Sequence, residues 1–130
     1  MNKVVVHLKN GEIAKGHTID FSPGKEKFHL TGMSDPLCNE EISLENLKAI
    51  FFVKDFKGDF LHVDSHDFSK ARVSGKHIAI SFYDGEILFG ISEAIHREKM
   101  GFFIFPIDPE ANTERAFVIN SFIESVDIVE

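Results

Sequence analysis

An internal repeat is the feature of this sequence that most restricts its fold. Residues 3–16 align with residues 76–90 once one residue is removed, and Asn10-Gly11-Glu12-Ile13 matches Asp84-Gly85-Glu86-Ile87 at an offset of 74. Near the end of each copy the offset is 76, as four apolar pairs show: Leu47 with Ile123, Ile50 with Val126, Phe52 with Ile128, and Val53 with Val129. Self-similarity of this kind indicates duplicated structural units. The sequence therefore predicts a first repeat at residues 1–53, a connection at residues 54–75 and a second repeat at residues 76–130.

Each repeat carries the patterns of short β-strands. Val4, Val6 and Leu8 lie at alternate positions, and the second repeat shows the same period of two, which is typical of a half-buried strand. The dipeptides Asn10-Gly11 and Asp84-Gly85 favour positive φ at both turn positions, which predicts a two-residue hairpin in each repeat.

Three further apolar segments follow each hairpin, so each repeat has the five short antiparallel strands of a small SH3-like or Sm-like β-barrel. Barrels of this size have marginal cores when alone. We therefore expect an all-β protein in which two tandem barrels pack together. Part of the connection, residues 56–72, could form a short helix or an ordered loop, and the sequence leaves both open.

The charge of the chain disfavours a nucleic-acid partner. With 14 basic and 21 acidic residues the formal charge is −7, the wrong sign for binding phosphates. Residues 76–130 hold 4 basic and 10 acidic residues and thus most of the negative charge. The single cysteine, Cys38, cannot form an internal disulfide and fits a reducing compartment. Since no apolar run is long enough to span a membrane, we expect a cytoplasmic protein without membrane contact.

Three stretches carry a resemblance to a known family: residues 51–59, 82–86 and 101–118. There the chain resembles an uncharacterised bacterial domain family, whose members look like stand-alone small proteins or tails appended to PilZ and response-regulator receiver modules. The resemblance covers nearly the whole chain and implies a bacterial, signalling-associated setting without an assigned activity. Each repeat is also distantly similar to an Sm-type barrel, but the loops at residues 22–27 and 45–47 lack the residues with which Sm proteins bind RNA.

His62, Asp64 and His66 are the best metal candidates in the sequence. Residues two apart share a face of an extended segment, so two imidazoles and a carboxylate could converge on a divalent ion. A solvated polar loop is the favoured interpretation, because this spacing is common and no fourth ligand is identified. The sequence pattern places no histidine or other general base beside Cys38 that could activate its thiol. We therefore predict no catalytic residues, no metal and no cofactor.

Outward-facing aromatic residues indicate an interface. Phe103 and Phe105 occupy the face where the first repeat has His29 and Thr31, and Phe51 likewise faces away from the first core. Bare phenylalanines are disfavoured on a soluble barrel. They could form an internal seam between the two repeats, which is the favoured interpretation, or they could bind a protein partner or a second copy.

The loop that follows is the second candidate interface. Asp108, Asn112 and Arg115 could present a binding loop at the barrel rim. Alternatively, Asn112 caps a turn and Arg115 pairs with Asp108 or Glu114, so that the loop is a folding device. The structural alternative is favoured.

Together these features favour a non-catalytic regulatory or protein-interaction module linked to bacterial signalling. It would act through a protein partner or through self-association. Two alternatives stay open: an Sm-like nucleic-acid-binding protein, and a protein that binds a small ligand in the cleft between the two barrels.

Overall fold

Ten β-strands make up the described part of this protein. The computed structural model describes residues 2–33, 39–57 and 75–129. Its strands are β1 (Asn2–Leu8), β2 (Ile13–Thr18), β3 (Lys27–Gly32), β4 (Asn39–Ser43), β5 (Leu47–Val53), β6 (Lys76–Phe82), β7 (Ile87–Ser92), β8 (Gly101–Ile104), β9 (Thr113–Ile119) and β10 (Ile123–Ile128). Single-turn 3-10 helices at Leu44–Asn46 and Asn120–Phe122 lead into β5 and β10. The predicted all-β class is confirmed, and the described residues contain no α-helix.

The strands form two sheets, and their order matches between the two halves of the chain. One sheet has seven strands in the order β4-β3-β2-β1-β5-β9-β8, and the other has three in the order β10-β6-β7. A bridge joins them, because Ile91 of β7 and Phe105, the residue after β8, exchange two backbone hydrogen bonds of 2.8 Å. Across that bridge the first half (residues 2–53) has the order β5-β1-β2-β3-β4, and the second half (residues 76–129) has the order β10-β6-β7-β8-β9.

The prediction of two tandem β-barrels packed together is not confirmed, because both sheets are open among the described residues. β5 pairs with β1 on one edge and with β9, from the second half, on the other. A strand has only two edges for pairing, so this arrangement leaves no edge of β5 for β4. β9 likewise lies between β5 and β8, which leaves no edge for β10. The two halves therefore share one sheet.

The hairpin turns also differ from the prediction. The N–H of Leu8 donates to the carbonyl of Glu12 at 2.9 Å, so three residues form the loop, and the N–H of Gly11 donates back to Leu8 at 3.1 Å. Gly11 has φ +93°, whereas no described residue other than glycine has positive φ. The loop is thus a turn closed by a glycine in the left-handed region. Gly85, with φ +92°, ends the same kind of loop in the second half.

Two hydrophobic cores lie on opposite faces of the strand pair β5–β9. The first core takes side chains from β1, β3, β4 and β5, together with Phe117 and Ile119 of β9. The second takes side chains from β6, β8, β9 and β10, together with Ala49 of β5. Phe102 and Ile104 enter the second core at the positions equivalent to Phe28 and Leu30 in the first. Because β5 and β9 contribute to both cores, neither half has a core of its own.

Part of the connection lies outside the described residues. β5 ends at Val53 and β6 begins at Lys76, and residues 58–74 are not described. The short helix considered for the connection therefore stays a prediction. In the part of the chain that the structure describes, no helix is long and apolar enough to cross a membrane.

Candidate functional site

The strand pair β5–β9, which we call the junction, ties the two halves of the chain together. Ile50 lies opposite Phe117, and Phe51 lies opposite Ala116, in antiparallel register. Successive side chains of a strand point to opposite faces. Ile50 and Phe117 therefore enter the first core, while Ala116 enters the second core and Phe51 packs against it. Full burial of an apolar side chain contributes about 1.5 to 3 kcal/mol, so both cores depend on the junction.

Phe103 lies against the first core, although it belongs to the second half. Its ring centroid is 5.1 Å from that of Phe117 and 6.2 Å from those of Phe52 and Phe21. Such aromatic pairs contribute roughly 0.5 to 1.5 kcal/mol beyond their buried area. Phe51 does the reverse, since it belongs to the first half and packs against the second core. The structure thus places both residues in the internal seam between the halves.

Arg115 stacks on the same aromatic cluster. Its guanidinium carbon lies 4.6 Å from the ring centroid of Phe52 and 5.0 Å from that of Phe103. A guanidinium over an aromatic face is attracted by the ring quadrupole, by about 0.5 to 2 kcal/mol. Among the described residues, Arg115 has no ion pair with Asp108, with Glu114 or with any other carboxylate. Its role in the fold is to cover the aromatic cluster at the end of the first core.

Lys48 joins the two halves electrostatically. Its ammonium lies 2.7 Å from a carboxylate oxygen of Asp84 and 2.6 Å from one of Glu86, and its side chain is only 8% exposed. The ammonium also lies 4.8 Å from the ring centroid of Phe82. Burial alone would lower the pKa of Lys48, but the hydrogen bonds that it donates to Asp84 and Glu86 outweigh burial and raise the pKa above its ordinary value. The same contact lowers the pKa of Asp84.

Hydrogen bonds fasten the loop between β8 and β9 to the chain after β5. The side chain of Asn112 accepts from the backbone N–H of Asp55 at 3.0 Å and donates to the Asp55 carbonyl at 2.9 Å. The Asn112 carbonyl accepts from the N–H of Lys54 at 2.9 Å, and the Lys54 ammonium donates to the carbonyl of Pro109 at 3.2 Å. Asp108 is 6% exposed and accepts a backbone hydrogen bond within the loop. These hydrogen bonds stabilise the conformation of the loop.

Phe105 lies between two clefts and lines both of them. The smaller cleft, about 200 Å³, is also lined by Phe51. The larger, about 390 Å³, is walled by the rings of Phe103 and Phe117, with the exposed Lys99 beside them. Small-molecule sites usually measure about 300 to 1,000 Å³. Of these two clefts, the larger has the size of a ligand site.

The strands at the two ends of the bridged order, β4 and β10, have open edges in the described part of the chain. β4 has only β3 as a neighbour there, and β10 has only β6. Both edges are acidic, with exposed Glu40 and Glu41 on β4 and exposed Glu124 and Asp127 on β10. Glu41 lies 3.3 Å from the ammonium of Lys27. No described cation forms an ion pair with Glu124 or Asp127.

The metal candidates fall outside the described residues. His62, Asp64 and His66 lie in the segment 58–74, and Cys38 lies in the segment 34–38, so their roles stay predictions. Among the residues that the structure does describe, no group of three His, Cys, Asp or Glu side chains could hold a metal ion.

Sequence reasoning misses two residues of the seam. Lys48 interrupts the apolar strand Leu47–Val53, and its repeat counterpart at the offset of 76 is Glu124. That charge reversal is the signal that could have found it. Phe21 lies in the loop between β2 and β3, without any periodic context, so no sequence pattern places its ring centroid 5.2 Å from that of Phe117.

Comparison with known protein families identifies a match that covers the sequence. A family of unknown function, DUF6982, matches residues 1–130. No curated protein and no solved structure matches the chain. The match agrees with the uncharacterised domain that the sequence resembles, and it assigns no activity to the junction, the clefts or the open edges.

Proposed function

We propose, on the premise that this chain belongs to the DUF6982 family of unknown function, that it is a non-catalytic module that binds a protein partner through an open strand edge. The observation that carries the proposal is the pair of open edges on β4 and β10, at the two ends of the strand order. An open edge presents unpaired backbone N–H and C=O groups, which are a template for an added strand.

The converging polar side chains support a non-catalytic role. Lys48 meets Asp84 and Glu86 to join the two halves, and Asn112 fastens a loop through backbone hydrogen bonds. An active site needs such groups aimed into a cleft where a substrate can reach them. Here they are engaged in contacts that hold the fold together.

The setting of the module is part of the proposal. The resemblance at residues 51–59, 82–86 and 101–118 supports a bacterial signalling context, and the single cysteine supports the cytoplasm. The matching strand orders of the two halves support an origin by duplication of one five-stranded Sm-like or SH3-like unit, opened and rejoined at the junction. The charge of −7 opposes the nucleic-acid alternative.

Affinity capture from the source organism with matched variants tests the proposal. Ile128→Pro and Glu41→Pro each remove one outward backbone N–H, from β10 and β4 respectively, and circular dichroism checks that both variants fold. The double variant Glu110→Lys, Glu114→Lys is the control, because both residues are exposed and lie away from the two edges. We expect a partner that one proline variant loses and the control keeps. A partner that both proline variants keep would overturn the proposal.

A small-ligand site in the larger cleft is the second candidate function. The four phenylalanines that line it and the neighbouring Lys99 could hold an aromatic acid, with the ring on the apolar wall and the carboxylate at the ammonium. Benzoate is a simple probe of that chemistry. Stabilisation of the wild type by benzoate, lost in Lys99→Ala, is the expected result in a thermal shift assay. Equal responses of the two proteins would count against this site.

A further inference from the structure

The repeat makes β10 the counterpart of β5, and β4 the counterpart of β9. At the offset of 76, Ile50 corresponds to Val126, and Phe52 corresponds to Ile128. The 3-10 turns that precede β5 and β10 correspond as well. In the first half, β5 pairs with β9 along its outer edge. The outer edge of β10 has no partner among the described residues.

Backbone geometry shows that the β10 edge can accept a strand. The N–H of Val129 donates to a carbonyl of β6 at 2.7 Å. Hydrogen bonds to one neighbour involve alternate residues of an antiparallel strand. The backbone groups of Val126 and Ile128 therefore point away from β6. Their counterparts Ile50 and Phe52 lie in register with β9 in the junction, so the junction is a template for the missing contact.

A second copy of this chain is a poor occupant of that edge. Repeating the junction geometry would place β4 of the second copy along β10, with Asp127 opposite Glu40. Lys48, which meets two carboxylates at the junction, would be replaced by Glu124, which would meet Glu12 at the equivalent turn. Like charges directly opposite each other destabilise strand pairing. The favourable pairs of the junction thus become repulsive.

We propose that the outer edge of β10 binds an extended basic segment of a partner protein as an added antiparallel strand. Lysine or arginine side chains of that segment pair with Asp127 and Glu124, and its alternate apolar residues lie beside Val126 and the half-exposed Ile128. The excess acidity of residues 76–130 attracts such a segment. β4 is less suited, because Lys27 already neutralises Glu41. This inference rests on the proposed function and names the class of partner.

Binding of synthetic peptides tests the inference. The probe is a labelled peptide of alternating lysine and valine, the control peptide alternates glutamate and valine, and fluorescence anisotropy reports binding. We expect the basic peptide alone to bind. Glu124→Lys with Asp127→Lys should weaken it by about ten-fold or more, whereas the matched charge change Glu110→Lys with Glu114→Lys should weaken it by only about two-fold. Equal weakening by both double variants would show general charge attraction and overturn the inference.

The Ile128→Pro variant separates this inference from the proposed function. Loss of peptide binding by a folded Ile128→Pro variant supports strand addition at β10. If the basic peptide does not bind, while a captured host protein is lost by Ile128→Pro, the basic partner class is wrong and the proposed function stands. If the captured protein is kept by both Ile128→Pro and Glu41→Pro, the proposed function itself fails.

Discussion

The junction and the two open edges occupy equivalent positions of the repeat but have opposite chemistry. At the junction, Ile50 faces Phe117 and Phe51 faces Ala116. At the open edges the counterparts of Phe51 and Phe117 are Asp127 and Glu41. The backbone order is the same in both halves, so side chains decide where strand pairing continues and where it stops. Charged side chains on an edge prevent further strands of the same kind from adding to the sheet.

Removing a junction ring should have the largest effect. Phe117 is 1% exposed and contacts both Phe21 and Phe103, so Phe117→Ala should lower the free energy of unfolding by about 3 to 5 kcal/mol. The counterpart substitution Glu41→Ala should change it by no more than about 0.5 kcal/mol. Urea denaturation measures both. A cost below about 1 kcal/mol for Phe117→Ala would show that the two halves are stable without the junction.

Removing the Lys48 cation should have the second largest effect on the free energy of unfolding. Lys48→Ala leaves Asp84 and Glu86 without their cation, but these carboxylates are 41% and 54% exposed and regain water, so we expect a loss of about 1 to 2 kcal/mol. Lys48→Met keeps an apolar chain beside Phe82 and should lose less. Glu124→Ala is the matched control at the open edge. If Glu124→Ala costs as much as Lys48→Ala in the same urea assay, the two positions do not differ as described.

The strands and their faces could be predicted from the sequence, because alternation of apolar residues reports which side chains point inward. It places Phe102 and Ile104 in a core correctly. The Asn10-Gly11 dipeptide predicts a hairpin but not its length, because glycine suits both a two-residue turn and the three-residue loop that forms.

The choice of partner for β5 could not be predicted. Ile50, Phe51 and Phe52 show that β5 is apolar on both faces, which requires cover on both sides. Either β4 or β9 could provide the second neighbour of β5, and the apolar periodicity is the same for both arrangements. The role of the interface candidates could not be predicted for the same reason, since Phe51 and Phe103 are apolar enough for either an internal seam or an external partner.

Charge reversal on β4 should convert an open edge into a weak junction. In the double variant Glu40→Lys with Glu41→Lys, position 40 would lie opposite Asp127 of a second copy, and position 41 opposite Val126, if β4 pairs with β10 as β9 pairs with β5. Each opposite pair contributes about 0.2 to 1 kcal/mol, so we expect concentration-dependent association of the variant in light scattering and none in the wild type. Glu110→Lys with Glu114→Lys is the control. Equal association of both variants would mean that reduced net charge, and not the edge, causes it.

The smallest expected effect on stability involves His29, whose counterpart in the second half is Phe103 at the offset of 74. His29 donates from its backbone N–H to Asp20 at 2.9 Å, and its ring nitrogen lies 2.7 Å from the same carboxylate. The hydrogen bond from the His29 side chain is the main cause that lowers the pKa of Asp20 from 3.8 to about 2. Because this pKa is lower in the folded state, the carboxylate adds stability above about pH 4, and that stability is lost as the pH falls towards about 2.

Asp20→Asn should therefore cost at most about 1 kcal/mol near neutral pH, since the pair is near the surface. Urea midpoints measured between about pH 6 and about pH 2 should converge for the two proteins at the acidic end. A constant difference across that range would show that the charge of the Asp20 carboxylate does not stabilise the fold.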